Sequence, residues 1–296
     1  MSLDISLEDL EDRLGNETYV SERSISMAIF LALQLQKPLL IEGPAGVGKT
    51  EIAKVLAKLT NTELIRLQCY DGIEVSQALY EWNYQHQLMY LKMQEVKGET
   101  SDIESQIYNE RFLLRRPILH SILSEKSVVL LIDEIDRADE AFESFLLEVL
   151  SDWQVTVPEL GTLHATTKPM VVLTTNATRE LSEALRRRCM FLYIDYPSFE
   201  KEVAIVSAKT PGLGEKIVQQ ICRFMEEVRT ERLRKKPGVA ETLDWARALA
   251  ELHAKELDRD LVASTLGLFL KDWKDQRGVE LSLTELLEKT GVQSKL

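Results

Sequence analysis

The feature that most constrains this chain is the glycine-rich stretch Gly43-Pro-Ala-Gly-Val-Gly-Lys-Thr50. The apolar run 38–41 before it predicts a short buried strand, and residues 51–58 after it have the apolar spacing of a helix. This is the context in which the pattern G-x-x-x-x-G-K-[ST] binds phosphate, because backbone amides and a helix N-terminus attract anions. The flanking pattern disfavours the alternative, an ordinary strand-to-helix turn. The stretch therefore predicts a site for a nucleoside triphosphate.

The last residues of this stretch carry the expected chemistry. Lys49 is expected to reach the β- and γ-phosphates, and the Thr50 hydroxyl is expected to ligate Mg²⁺. The predicted nucleotide-binding residues are Gly43, Pro44, Ala45, Gly46, Val47, Gly48, Lys49, Thr50 and Glu51.

Two consecutive acids follow the apolar run 127–132. Such a run is typical of a central parallel strand, and ligands of open α/β sheets bind where these strands end. Asp133 is expected there to hold Mg²⁺ through water, and Glu134 to polarise the water that attacks the γ-phosphate. The phosphate-binding stretch disfavours the alternative of two solvated acids in a turn. The predicted metal ligands are thus Thr50 and Asp133.

Two further motifs have two interpretations each. The apolar run 170–175 predicts a strand ending at Asn176, which either forms a turn or positions water at the sheet edge shared with Asp133. The triplet Arg186–Arg188 stands between a short predicted helix and another strand. It is either a solvated helix end favoured by the helix dipole or a contact to an anion that completes a neighbouring subunit's site.

Charge and composition narrow the class of protein. The formal net charge is −12 and the sequence pI is near 5.0, which opposes non-specific binding to nucleic acid or an anionic membrane. Cys69, Cys189 and Cys222 lack metal-site spacing and are expected to be reduced and mostly packed. We expect a cytoplasmic protein, because no apolar run approaches the roughly twenty residues of a membrane span and the acidic start is unlike a signal peptide.

The strand pattern is confined to the chain before Pro197. This predicts an α/β domain at residues 1–196 and an all-helical domain at residues 197–296. In the first, we expect helices at 7–14, 21–36 (capped by Ser21 or Ser24) and 140–152, a strand at 63–69 and a hairpin formed by 154–157 and 161–165. In the second, we expect helices at 200–208, 217–229, 240–252, 259–273 and 281–289.

The segment 70–116 is expected to be helix interrupted by an insertion. Its aromatic residues either pack in the core or form a surface that contacts a partner. The basic loop 232–236 is expected to be solvated.

The order of the motifs along the chain resembles that of the AAA+ ATPases. The motifs are the phosphate-binding stretch, the acid pair Asp133-Glu134, Asn176 and Arg186–Arg188. The resemblance covers nearly the whole chain. It implies an α/β fold with a P-loop AAA+ core, which is a parallel sheet flanked by helices. A smaller all-helical lid domain follows this core.

Other segments look more particularly like the MoxR family, which has an insertion in its second helix. These are Asp133–Ala138, the hairpin before Asn176 and the extended segment after Cys69. Three short segments are also similar to MoxR-type ATPases encoded beside molybdenum hydroxylases of the carbon monoxide dehydrogenase type. They are Tyr80–Tyr84, Ala184–Cys189 with Asp195–Pro197, and Pro237–Trp245.

The resemblance assigns roles residue by residue. It makes Lys49 and Thr50 the Walker A pair, and Asp133 and Glu134 the Walker B pair. Asn176 becomes sensor 1, and Arg188, together with Arg187, becomes the arginine finger that acts on the adjacent subunit. The catalytic residues implied are Lys49, Glu134, Asn176, Arg187 and Arg188.

One position departs from the family pattern. MoxR proteins commonly carry a sensor 2 arginine, but here Gly238 leads to Thr242 at the matching place. Arg247 lies one turn and one residue further on, and it could substitute only if the helix begins differently.

The resemblance also implies cofactors and partners. ATP and Mg²⁺ are the expected cofactors, and a homo-oligomeric ring, usually a hexamer, is the expected assembly. The leading hypothesis is a ring-forming ATPase that remodels a protein client such as an apo-metalloenzyme, with a von Willebrand A-type partner. The alternatives are a nucleic-acid motor or loader, which the acidic charge opposes, and a slow nucleotide-dependent switch.

Overall fold

The computed structural model describes residues 5–97 and 107–290, apart from the side chain of residue 97. The strands are β1 (Leu39–Glu42), β2 (Leu64–Gln68), β3 (Tyr80–Trp82), β4 (Leu113–Arg115), β5 (Val129–Asp133), β6 (Gln154–Val157), β7 (Gly161–His164), β8 (Met170–Thr175) and β9 (Met190–Tyr193). The helices before Ile194 are α1 (Leu7–Asn16), α2 (Arg23–Leu35), α3 (Lys49–Thr60), α4 (Val75–Ala78), α5 (Tyr84–Lys97), α6 (Pro117–Ile122), α7 (Glu140–Asp152) and α8 (Glu183–Arg188). Those after it are α9 (Phe199–Lys209), α10 (Glu215–Thr230), α11 (Val239–Glu251), α12 (Arg259–Phe269) and α13 (Trp273–Lys289).

The chain divides into two compact units. The first contains Arg23–Glu42 and Thr50–Tyr193, and the second contains Glu11–Glu22, Gly43–Lys49 and the chain from Ile194 onward. The predicted phosphate-binding loop, Gly43–Lys49, therefore packs within the second unit, although it connects β1 to α3. The chain passes from the first unit to the second for the last time between Tyr193 and Ile194. The predicted domain boundary at residue 196 lies close to this point and remains a prediction.

Five parallel strands form the main sheet of the first unit, in the order β2-β5-β8-β1-β9. The inner strands β1, β5 and β8 are almost wholly buried, which explains their continuous apolar sequences. The register pairs Gln68 with Asp133 and Glu42 with both Thr175 and Tyr193. The polar residues at these strand ends therefore share the C-terminal edge of the sheet.

The second unit encloses its own core, in which Phe224, Trp245 and Phe269 pack together. The Trp245 and Phe269 ring centroids are 4.6 Å apart, and the Trp245 indole N–H donates to the Thr265 hydroxyl over 2.9 Å. This arrangement buries the aromatic surface and also satisfies the one polar atom of the indole. The predicted parallel α/β sheet and the helical C-terminal region are both confirmed.

The structure confirms helix in part of the segment 70–116, at α4 and α5, and corrects the prediction at two short strands. Tyr80–Trp82 is a strand that pairs antiparallel with Leu113–Arg115, whereas we expected interrupted helix. Tyr80, Trp82 and Tyr90 pack into or against the core, while Tyr84 is exposed. Residues 98–106, which belong to the insertion expected in this segment, lie outside the described residues.

Two helix boundaries also differ from the predictions. The helix expected at 259–273 ends at Phe269, because Asp272 caps a new helix by accepting N–H bonds from Lys274 and Asp275. Helix α2 begins at Arg23, so the residue immediately before it is Glu22 rather than Ser21 or Ser24. Within the described ranges 5–97 and 107–290, no helix is both long and apolar enough to cross a bilayer.

Candidate nucleotide site

The phosphate-binding loop is compact and closed by its lysine. Gly46 and Gly48 have φ angles of +79° and +94°, which glycine adopts without the penalty that a Cβ would bring. The buried Lys49 Nζ donates to the carbonyl oxygens of Gly43 and Pro44, each over 2.7 Å. Lys49 therefore lies across the mouth of the loop, where a phosphate oxygen could take over its donors.

The loop packs against the start of α11 within the second unit. The Ala240 N–H donates to the Gly46 carbonyl oxygen over 3.0 Å, and the Glu241 carboxylate accepts from the Gly238 N–H over 2.9 Å. A Cβ at Gly238 would lie 2.7 Å from the Ala45 carbonyl oxygen and 2.8 Å from the Gly46 Cα. Glycine at 238 is therefore a steric requirement of the loop conformation.

The predicted metal ligands meet in the first unit. The Thr50 hydroxyl lies 3.1 Å from Asp133 Oδ1, and Asp133 is buried at the end of β5. The Thr174 hydroxyl donates to Asp133 Oδ1 over 2.5 Å and accepts from the Glu134 N–H over 2.9 Å. Thr174, which no sequence motif indicated, contacts both members of the acid pair.

Arg66 supplies a cation to the same carboxylate. Its guanidinium lies 2.6 Å from Asp133 Oδ2 and 2.6 Å from Gln68 Oε1. The alternation of β2 places Arg66 and Gln68 on one face of that strand. Sequence spacing gave no sign of this ion pair, because its partners are 67 residues apart.

Glu134 follows β5 in a left-handed backbone conformation, with φ 54° and ψ 51°. Its carboxylate accepts from Arg137 Nε over 2.9 Å, and Arg137 also lies 3.8 Å from Asp71. All three side chains are at least one-third exposed, so the pair with Arg137 contributes little stability. Glu134 can therefore leave Arg137 at small cost.

Asn176 is held through its backbone. The buried Asp136 carboxylate accepts from the Asn176 N–H over 3.3 Å, and from the amide and hydroxyl of Thr178 over 3.0 and 2.6 Å. Burial by itself raises the pKa of the Asp136 carboxyl, but these hydrogen bonds outweigh it, and the pKa lies below its usual value.

The three arginines of α8 have different surroundings. Arg186 pairs with Glu42 over 2.5 Å and lies against the Phe191 ring. Arg187 forms an exposed pair with Glu183 one turn earlier. Arg188 donates to the Ser151 hydroxyl over 2.7 Å and to the Ala184 carbonyl oxygen. The contacts of Arg187 and Arg188 are thus with α7 and α8, on the surface of the first unit.

The place expected for sensor 2 is occupied by a buried polar network. Glu202 accepts two hydrogen bonds from the Arg229 guanidinium, over 2.6 and 2.7 Å, and one from the Thr242 hydroxyl over 2.7 Å. Arg229 Nε donates to the Pro237 carbonyl oxygen over 2.8 Å. Because α11 begins at Val239, the exposed Arg247 lies two turns along it and pairs with Asp244.

The sequence also matches a known family. Residues 38–189, just over half of the chain, match the model described as AAA domain (dynein-related subfamily). The chain belongs to the AAA domain family. This AAA domain covers β1 through α8, the part that carries every predicted Walker, sensor 1 and arginine-finger residue.

Solved structures support the same fold. A mutant of RuvB from Thermotoga maritima aligns with a TM-score of 0.51 and 18% identity, covering 98% of this chain and 84% of that one. A second RuvB mutant aligns with a TM-score of 0.50 and 19% identity, covering 98% and 83%. The predicted P-loop AAA+ fold is thereby confirmed, and at this identity the likeness concerns the fold alone.

Relatives in sequence include proteins of staphylococci. An uncharacterized protein of Staphylococcus aureus strain USA300 is 25% identical over 225 residues, 74% of this chain and 77% of that protein. One from Staphylococcus haemolyticus is 24% identical over 246 residues, 81% and 85% of the two chains. These relatives share most of their length with this chain.

Proposed function

We propose that this AAA+ protein binds ATP with Mg²⁺, hydrolyses ATP, and works as a ring of identical subunits that remodels a protein client. The contacts of Asp133 carry the proposal. Its carboxylate lies 3.1 Å from the Thr50 hydroxyl, and Thr174 joins it to the backbone of Glu134. Asp133 thus offers an oxygen ligand for a cation, and the next residue, Glu134, offers a carboxylate that can activate water.

The residues present fit Mg²⁺ that is bound together with a triphosphate. Thr50 and Asp133 offer oxygen ligands, and in such sites Mg²⁺ takes one or two protein ligands, with phosphates and waters completing the shell. Among the described residues, no group of three or more His, Cys, Asp or Glu side chains could hold a metal ion. When bound, Mg²⁺ neutralises charge that develops on the phosphates.

The chain's own groups would then divide the work of hydrolysis. Gly43–Gly48 supplies backbone donors to the phosphates, and Lys49 moves its donors from the loop carbonyls to phosphate oxygens. Glu134 separates from Arg137 and accepts a proton from the attacking water, while Asn176 orients that water. Glu51, in the first turn of α3, pairs with Lys54 over 3.4 Å and favours the helix start.

The surface position of Arg187 and Arg188 supports a ring. An arginine from an adjacent subunit can contribute about 10³- to 10⁵-fold in rate in related phosphoryl transfer. The exposed pair of Arg187 with Glu183 is easily separated, whereas Arg186 is held by Glu42 within its own unit. Arg187 and Arg188 are therefore the candidates to act on a neighbouring subunit.

The test mixes two inactive variants. Glu134→Gln lacks the base, and Arg188→Ala lacks the arginine, so a mixed ring contains some sites with both groups intact. We expect each variant alone to hydrolyse ATP at least about 100-fold more slowly than wild type, and the mixture to regain activity. Arg187→Ala mixed in the same way identifies the principal arginine. Arg115→Ala, which removes an exposed arginine paired with Glu110, is the control and should keep full activity.

Two results would contradict the proposal. Absence of hydrolysis by wild type with ATP and Mg²⁺ would exclude an ATPase. If wild type is active but the mixture remains inactive at concentrations where wild type assembles, sites are not completed between subunits.

The MoxR subtype and its client rest on resemblance in short segments. We propose a folded apo-metalloenzyme as client and a von Willebrand A-type protein as partner. Stimulation of hydrolysis by the apo-metalloenzyme but not by its metal-loaded form would support this role. Salt-sensitive stimulation by DNA instead would favour a nucleic-acid motor.

A further inference from the structure

The turn after β5 and the turn after β8 are joined at two points in the first unit. The first is Thr174, whose hydroxyl contacts Asp133 Oδ1 and the Glu134 N–H. The second is Asp136, which accepts from Asn176 and Thr178. Since Glu134 and Asn176 each lie beside one of these contacts, the two turns are fixed relative to each other on both sides.

Asp136 is buried between these two turns, and both of its carboxylate oxygens accept hydrogen bonds. It is only 4% exposed, and its two carboxylate oxygens receive three hydrogen bonds, two of them from backbone N–H groups. Hydrogen bonds to an ionised carboxylate are stronger than neutral ones. Removing the charge would leave buried donors facing a poorer acceptor.

From these contacts we infer that Asp136 is a positioning residue that fixes Asn176 relative to Glu134 for water attack. The inference rests on the proposed ATPase function and adds a residue to that site. Asp136 touches neither nucleotide nor water in this role. It acts by holding the backbone of Asn176, so its loss should slow catalysis and leave nucleotide binding intact.

The main variant is Asp136→Asn. An asparagine retains one acceptor oxygen, but its amide group places a donor against donors of Asn176 or Thr178. We expect kcat to fall about 10- to 100-fold, as misplacement of a catalytic group commonly does. The Kd of a fluorescent ATP analogue, measured separately, should change less than about twofold, because the hydrogen bonds that Asp136 accepts come from the turn at Asn176 and Thr178.

A second, milder variant guards against misfolding. Thr178→Val removes the hydroxyl that donates to Asp136 over 2.6 Å and leaves both backbone donors. It should lower kcat in the same direction but less. Asp139→Asn is the matched control, because Asp139 caps α7 through the Phe142 N–H and asparagine caps equally well. That control should keep wild-type kcat.

A double-mutant cycle separates positioning from general damage. If Asp136 acts through Asn176, then Asp136→Asn should reduce kcat by less than about twofold in an Asn176→Ala background. The inference is overturned if Asp136→Asn lowers kcat by the same factor with and without Asn176, or if the ATP-analogue Kd weakens in step with kcat.

Failure of the proposed function would look different. Hydrogen exchange of the peptide around residues 174–180 reports the Asp136 contacts without any hydrolysis, and we expect Asp136→Asn to speed exchange there. Faster exchange together with an inactive wild-type chain would reject the ATPase function and, with it, the catalytic role of Asp136. Unchanged exchange would reject the contact itself.

Discussion

Asp133 is the residue on which most of the site's polar groups converge. It receives hydroxyl groups from Thr50 and Thr174 and the guanidinium of Arg66. A carboxylate buried to this extent needs such partners, because an uncompensated charge is strongly penalised. If Mg²⁺ binds as proposed, the same partners will influence how readily the carboxylate accepts it.

Arg66→Gln should therefore change the Mg²⁺ requirement. The Arg66 guanidinium would compete with Mg²⁺ for the Asp133 carboxylate, but Arg66 is about half exposed, so its ion pair is weak. Its loss should therefore lower the Mg²⁺ concentration for half-maximal ATP-analogue binding by only about two- to fivefold. A titration of Mg²⁺ at fixed analogue concentration measures this shift. Arg115→Gln is the control. An unchanged or higher Mg²⁺ midpoint would mean that Arg66 does not oppose the cation.

The thiol of Cys69 should be inert in the folded chain. Burial raises its pKa to about 12, and the nearby charges of Asp133, Asp136 and Glu134 also raise it. At pH 8 only about one thiol in ten thousand would then be ionised, and the thiolate is the reactive form. Iodoacetamide should label Cys69 within minutes in denaturant but hardly at all under native conditions. Rapid native labelling would show that the site opens.

At the residue scale, the sequence predicted what is local. Lys49 and Thr50 begin a helix, and Glu134 and Asn176 each follow a strand, all within recognisable short patterns. Thr174 and Arg66 could not be predicted, because their roles arise only when neighbouring strands align Gln68 with Asp133 and Leu173 with Ile132.

At the scale of elements, α11 contacts both the phosphate-binding loop and the buried polar network of the helical unit. Its first turn packs against the phosphate-binding loop through Gly238 and Ala240. Its buried Thr242 belongs to the network of Glu202 and Arg229, which also binds the Pro237 carbonyl oxygen. The loop conformation therefore depends on ion pairing inside the helical unit.

Gly238→Ala should weaken nucleotide binding. The added Cβ would lie 2.7 Å from the Ala45 carbonyl oxygen, closer than such atoms approach, so the loop or helix must shift. We expect ATP-analogue affinity to fall at least about tenfold, equivalent to about 1.4 kcal/mol. Gly214→Ala is the matched control, since Gly214 also precedes a helix and has nothing within 4 Å of the added Cβ. Equal affinity of both variants would contradict the steric argument.

Breaking the Glu202–Arg229 pair should destabilise the helical unit. Both side chains are buried, and removing one partner of a buried pair costs about 3–5 kcal/mol because the other charge stays uncompensated. Urea unfolding of Arg229→Met, followed by far-UV circular dichroism, measures this loss. The exposed pair of Lys216 with Glu256 provides the comparison, and Lys216→Met should cost less than about 1 kcal/mol.

Long periodic elements were predictable from the sequence, and short paired ones were not. The buried strands β1, β5 and β8 were evident from their apolar runs. The three-residue strand Tyr80–Trp82 was missed, because its partner Leu113–Arg115 lies some thirty residues away and so few residues show no period. The break at Asp272 was hidden by apolar residues that continue across it.

At the scale of the whole molecule, the proposed arginine in trans makes activity depend on assembly. Specific ATPase activity should rise with protein concentration and reach a plateau where sedimentation shows a ring. Below the assembly range, activity per subunit should fall by at least about 100-fold, within the contribution of such an arginine. Constant activity per subunit across monomer and ring would show that each subunit is complete alone.

The contact between Gly46 and Gly238 also sets a rule for building hybrids of this protein. Both positions disfavour a side chain: Gly46 has a φ of +79° and an added Cβ there would lie 3.2 Å from the Gly238 Cα, and a Cβ at Gly238 would meet the loop backbone. A chimaera that takes its helical region from a relative must therefore bring a glycine at 238 and a helix start of the same length. Otherwise the borrowed helices will deform a loop whose own sequence is unchanged.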